Sequence, residues 1–257
     1  MLNPSPTARP DWQSVDRIEG WFTFESFCLW NVLMGAQHEP GHLFEIGVFK
    51  GRSASVLAAH RRPNERLVLC DPSLAGGLPE ALNTVPADAL TLYPERSSFL
   101  QGKVADLARG VRFVSIDGEH SGRAVYNDLG IADAVLSDIG IVALDDFFSP
   151  QYPQITAATY DYLARHPYSF CLMLVGFLKG YLCRPAAYRH YQDLMVSRLP
   201  GLMAAAGAPV SLCKTGGPED SFTFGLYPFR EDLGTRHGPG HGRLQIIGTA
   251  EFRDHQP

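Results

Sequence analysis

Two stretches of the chain, 111–120 (VRFVSIDGEH) and 139–148 (IGIVALDDFF), run as apolar strands and then stop abruptly in acid. Asp117 and Glu119 close the first, with His120 beside them, and Asp145 and Asp146 close the second. If the two strands lie side by side, three or four carboxylates meet at one sheet edge. Carboxylates repel one another by about 4 kcal/mol per pair at ~4 Å in an effective dielectric near 20, so such a cluster needs a cation, shared protons or wide spacing. A divalent metal is the simplest remedy. Without one, Asp117 would cap the helix that follows it, and Asp145 and Asp146 would orient loop backbone.

A second constellation lies earlier. Residues 43–53 (LFEIGVFKGRS) read as a strand that ends at Gly47, turns through Gly51 and enters a helix near Ser53. Gly47 can adopt positive φ and let a ligand approach the backbone, and the start of the helix offers unpaired N–H groups. A dinucleotide fingerprint, GxGxxG, would need a second glycine where this chain has Phe49, which argues against NAD or FAD. The segment instead reads ExGxxxGxS, and Asp71 closes the next strand. An acid at that strand end can accept hydrogen bonds from both ribose hydroxyls of a nucleoside lying across the sheet's carboxyl edge.

The elements that position these residues alternate strand and helix with short links, the parallel βαβ pattern. Strands are expected at 43–48, 66–70, 111–116 and 139–144, and helices at 53–62, 98–108, 122–134 and 154–165. Further on, apolar segments at 170–175 and 178–183 precede a helix at 186–206 and strands at 210–214, 222–227 and 244–247. Which of these close the sheet as an antiparallel hairpin is left open by the pattern. Ahead of the sheet, 18–37 holds Trp21, Phe22, Phe24, Phe27, Leu29, Trp30, Leu33 and Met34. That density predicts a helix with two buried sides, packed on the core or covering a substrate pocket or a subunit contact. The run 234–242, with His237 and His241 among glycines, is expected as a surface loop rather than a metal-binding tail.

Composition narrows the field. The chain has 257 residues, 45% apolar and 19% charged, enough for a large core in one domain. A net charge of -5 without a Lys/Arg stripe gives no case for nucleic acid. Five scattered cysteines without a CxxC pair read as reduced, buried thiols of a cytoplasmic protein. The opening MLNPSPTARPDWQ has no apolar core of a signal peptide, and the longest apolar run, 168–182, is too short to span a membrane and is broken by Gly176, Lys179 and Gly180.

The segment FEIGVFKGRSA followed by VLCDPS resembles the cofactor site of class I S-adenosylmethionine-dependent methyltransferases. The resemblance covers roughly residues 18–148 and implies a Rossmann-like, doubly wound, mostly parallel seven-stranded α/β sheet with an antiparallel C-terminal strand and an N-terminal aromatic helix. It implies one domain over 1–257: a lead-in at 1–12, a helical cover at 13–40, a cofactor-binding and metal half at 41–150, and the rest of the sheet with the tail at 151–257. It also implies that Glu45, Gly47, Gly51 and Ser53 hold the amino-acid end of S-adenosyl-L-methionine and Asp71 its ribose, with Asp117 close by. Ser97, in LYPERSSFL, would contact the adenine side or else cap the helix after it.

The DGEH and DDFF ends are similar to a metal-dependent subset that methylates hydroxyls of small molecules, the sugar enzymes of antibiotic pathways and the catechol type. This implies Mg2+ on Asp117, Asp145 and Asp146, with His120 or Glu119 as general base; an imidazole, titrating near neutral pH, is favoured over a carboxylate. One departure is LSDIGI before the fifth strand, where relatives carry a Pro-Gly-Gly turn. The expected activity is metal-assisted methyl transfer to a hydroxyl of a sugar or secondary metabolite, with no nucleic-acid or membrane partner and a possible homo-oligomer. The alternatives are a metal-independent enzyme of the same fold and a non-catalytic cofactor-binding protein whose aromatic helix near Trp30 docks on a partner.

Overall fold

A computed structural model of the chain describes residues 11–215, 223–230 and 244–248; the lead-in before residue 11 and the run 234–242 with its two histidines lie outside these. The described strands are β1 (His42–Ile46), β2 (Leu67–Cys70), β3 (Leu90–Tyr93), β4 (Val111–Ile116), β5 (Leu136–Leu144), β6 (Cys171–Gly176), β7 (Lys179–Cys183), β8 (Val210–Thr215), β9 (Phe224–Pro228) and β10 (Leu244–Gly248). They form one sheet in the order β10-β8-β9-β6-β7-β5-β4-β1-β2-β3. The run from β3 to β5 is parallel and doubly wound, as expected, and β7 returns antiparallel on β5. The expected seven strands become ten among the described residues, because β8, β9 and β10 extend the sheet beyond the β6–β7 hairpin.

The helices are α1 (Trp12–Asp16), α2 (Phe24–Ala36), α3 (Arg52–His60), α4 (Gly122–Val135), α5 (Pro153–Arg165), α6 (Tyr188–Ser197) and α7 (Leu199–Ala205). The expected helix at 18–37 shortens to α2, whose Thr23 hydroxyl accepts from the Ser26 N–H at 3.2 Å. That expected at 186–206 breaks into α6 and α7 because Pro200 lacks the N–H that would continue it. Residues 98–108 do not form a helix: two short 3-10 turns, Ser97–Phe99 and Ala105–Leu107, flank Gly102 at φ +81°. Among the described residues no helix is long and apolar enough to cross a membrane.

Two cores sandwich the sheet. Leu43, Phe113, Ile141 and Ala143 join residues of α2, α3, α6 and α7 on one face. Phe44, Val114, Val142 and Leu144 join residues of α4 and α5 on the other. Side chains alternate faces along a strand. The odd-numbered column therefore continues on the α2 side to Glu45, Ser115, Asp117 and Asp145 at the carboxyl ends, and α2 lies over that column as a cover.

Candidate active site

The close approach of the strand ends decides the local chemistry. Gly47 sits at φ +88°, and a Cβ there would lie 1.9 Å from the Asp117 carbonyl oxygen. The glycine is thus demanded by β4 lying against the turn, in addition to any ligand. Below it, Glu45 is fully buried, and neither of its carboxylate oxygens closes a well-formed hydrogen bond, although the Ser53 and Ser115 hydroxyls adjoin it. Burial pushes its carboxyl up to about 8 against those hydroxyls and the charge of Lys179.

Asp71 is drawn into the glycine turn. Its Oδ2 accepts from the Val48 and Phe49 N–H groups at 2.7 and 3.1 Å, and its Oδ1 accepts from the Ser73 N–H at 2.7 Å. Burial works against the charge, but the bonds from Ser73, Val48 and Phe49 hold the carboxyl below its ordinary range. A carboxylate offers about four lone-pair sites, so three bonds leave room for one further hydroxyl rather than the two expected for a ribose. Ser97 lines a cleft of about 290 Å3 with Asp71, Arg96, Gly118 and Glu119. It caps no helix; its hydroxyl adjoins the buried Asp128. Likewise Ser121, not Asp117, caps α4, accepting from the Ala124 N–H at 3.2 Å.

Between the strand ends and the cover lies a cavity of about 530 Å3, lined by Gly47, Ser53, Ser115, Asp117, Asp145 and Asp146, and by Trp21, Phe22, Trp30, Phe49 and Tyr152. His120 enters it with Nε2 2.8 Å from Asp146 Oδ2 and 3.6 Å from Asp117 Oδ1, its ring 4.4 Å from that of Tyr152. Asp117 is pushed well up by burial and then by the adjacent charge of Asp145. Glu119, the other base expected, turns away: it pairs with Arg96 at 3.0 Å and accepts from the Ser121 hydroxyl at 3.0 Å. The cover is pinned above the turn by Arg52, whose guanidinium donates to the Ile18 and Gly20 carbonyls at 3.1 and 3.2 Å.

Residues 44–147 match the sequence family described as a methyltransferase domain. Over that segment the chain is similar to a methyltransferase domain. Two solved structures share its fold. One is CalS11, a TDP-rhamnose 3'-O-methyltransferase of calicheamicin biosynthesis, at 19% identity over 71% of this chain and 96% of that one, with a TM-score of 0.51. The other is a protein of Corynebacterium glutamicum at 15% identity over 69% and 92% of the two chains, with a TM-score of 0.53. No curated protein matches the chain in sequence.

Among the described residues, the three acids implied by the resemblance do not all converge on one point. Asp145 Oδ2 is taken by the ammonium of Lys179, which is only 3% exposed, and Asp145 Oδ1 accepts from the Asp146 N–H at 2.8 Å. The donor atoms that converge, all within 4.8 Å of one another, belong to Asp117, His120 and Asp146. Magnesium prefers an octahedron of hard oxygens, and this cluster puts an imidazole nitrogen, a softer donor, in place of one of them. Of the expected set, Asp117 and Asp146 converge with His120, while Asp145 pairs with Lys179. A signal for this residue exists in the sequence, since Lys179 is the lone charge within the apolar run 168–182.

Proposed function

We propose that the protein transfers a methyl group from S-adenosyl-L-methionine to a hydroxyl of a small molecule, a sugar or a secondary metabolite. One observation carries this: the His120–Asp146 pair stands across a single cavity from the Asp71-anchored glycine turn. The bound sulfonium would supply an already electrophilic methyl carbon, leaving the protein to align the acceptor oxygen and remove one proton. Glu45, Ser53 and the turn from Gly47 to Gly51 would receive the amino-acid end, Asp71 one ribose hydroxyl, and Ser97 and Gly118 the base.

His120 is the residue to take the proton. With Nε2 committed to Asp146, its other ring nitrogen is the basic one, and the carboxylate stabilises the imidazolium that forms. Trp21, Phe22, Phe49 and Tyr152 suit an acceptor with an apolar face beside its hydroxyls. No step of this reading passes through a metal ion. The five free cysteines suit a reducing cytoplasm.

Calorimetric titration with S-adenosylmethionine and its demethylated product tests the cofactor part, and mass spectrometry of a panel of hydroxylated acceptors tests the transfer. Failure to bind either form of the cofactor overturns the proposal. Binding with no methyl transfer to any acceptor would favour the non-catalytic alternative instead.

A further inference from the structure

We infer that Lys179 is the resident cation of this centre: its ammonium holds Asp145 in the role the resemblance assigns to magnesium, so methyl transfer proceeds without a divalent ion. The inference rests on the methyl-transfer reading for its kinetic part only.

Register places the lysine. β5 pairs antiparallel with β7, Leu144 opposite Gly180, and the same register carried one residue further sets Asp145 opposite Lys179. The lysine shares the face that carries Glu45 and Asp117, and its charge acts on both. Its ammonium lies 5.5 Å from the Phe22 ring of the cover, within the same cavity. A buried ammonium needs a compensating anion, and Asp145 supplies it in direct contact.

The turn that delivers Lys179 is itself unusual. Gly176 pairs with Lys179, leaving Phe177 and Leu178 as a two-residue hairpin loop at φ +55° and +57°. Such loops normally carry Asn-Gly or Gly-Gly, because bulky residues are unfavourable at positive φ. Yet both side chains line the cavity, and the Leu178 carbonyl accepts from the Phe147 N–H at 2.9 Å, tying the tip to the acid-bearing loop. Unfavourable backbone of this kind clusters where surrounding structure imposes it for function. Here it fixes the first residue of β7, Lys179, against Asp145.

Lys179 touches Asp145 rather than the reacting atoms, so it is a positioning residue, and removing its charge should leave the acids seeking another cation. The test uses Mn2+ as the probe, with electron paramagnetic resonance and calorimetry on the whole protein. Expected are no saturable Mn2+ binding by the wild type at millimolar concentration, turnover unchanged by excess chelator, and a gain of Mn2+ binding in Lys179→Met. Turnover of Lys179→Met should fall by about a hundredfold, the scale of a lost fixed charge in an active site, with affinity for the demethylated cofactor kept. Lys179→Arg, which keeps the charge, should stay insensitive to chelator and bind no Mn2+. Tight Mn2+ binding by the wild type, or chelator-abolished turnover restored by magnesium, overturns the inference. Since Mn2+ binding is read without turnover, it judges Lys179 even if cofactor titration fails and the methyl-transfer reading falls; should Lys179→Met not fold, the wild-type and Lys179→Arg measurements decide.

Discussion

His120 reaches across from the end of β4 to Asp146 at the end of β5, Nε2 to Oδ2 2.8 Å, while its neighbour Glu119 pairs outward with Arg96. Two adjacent residues with titratable side chains thus have opposite fates. His120→Ala should lower kcat by about 10²–10⁴-fold, the range for losing a general base, and Glu119→Gln should leave it within about twofold. Asp146→Asn should fall between them, because the imidazolium loses its partner. Steady-state kinetics with one accepted substrate checks all three.

Glu45 predicts a pH dependence of stability. Its carboxyl is raised from 4.5 to about 8 by burial, so the folded protein keeps a proton that the unfolded chain has released across that window. Stability from this group is fully present below pH 4.5 and is lost as pH rises through 8. Urea midpoints of the unliganded protein should therefore fall between those limits, and Glu45→Gln should flatten the slope.

At the opposite end of β4, Arg112 and Glu65 are 1% and 2% exposed. The guanidinium donates from Nε to Glu65 Oε1 at 3.0 Å and from Nη2 to Oε2 at 2.9 Å, and from Nη1 to Gln37 at 3.0 Å. Glu65→Ala should destabilise the fold by about 3–5 kcal/mol, because it strands a buried charge. Cofactor affinity of the folded fraction should not change, since the pair lies at the amino end of the sheet; urea unfolding and calorimetry separate the two effects.

Trp21 is 88% exposed at the cavity mouth, its ring 5.8 Å from that of Phe49. An aromatic so placed contributes area and ring contact to a bound molecule, about 0.5–1.5 kcal/mol beyond burial for a well-formed pair. Trp21→Ala should raise the acceptor KM by about threefold to tenfold at nearly constant kcat. A fall in kcat with KM unchanged would contradict the assignment.

Much of this was legible in the sequence because it is local. Apolar runs that stop in acid assigned Asp117, Asp145 and Asp146 to strand ends. ExGxxxGxS located the turn, and the match to a methyltransferase domain over 44–147 agrees with the fold those motifs implied. The helix at 98–108 failed because Gly102 at φ +81° interrupts it, and the helix at 186–206 failed at Pro200.

The sequence by itself determined the parallel βαβ core, the acids at its carboxyl edge and the glycine turn, since strand period and turn chemistry depend on residues close in the chain. Only the tertiary structure decided which acid has which partner. Asp145 meets Lys179 through the β5–β7 register, His120 meets Asp146 across two strand ends, and Glu119 is drawn outward by Arg96. Such pairings depend on how distant segments align, and no local pattern encodes that alignment.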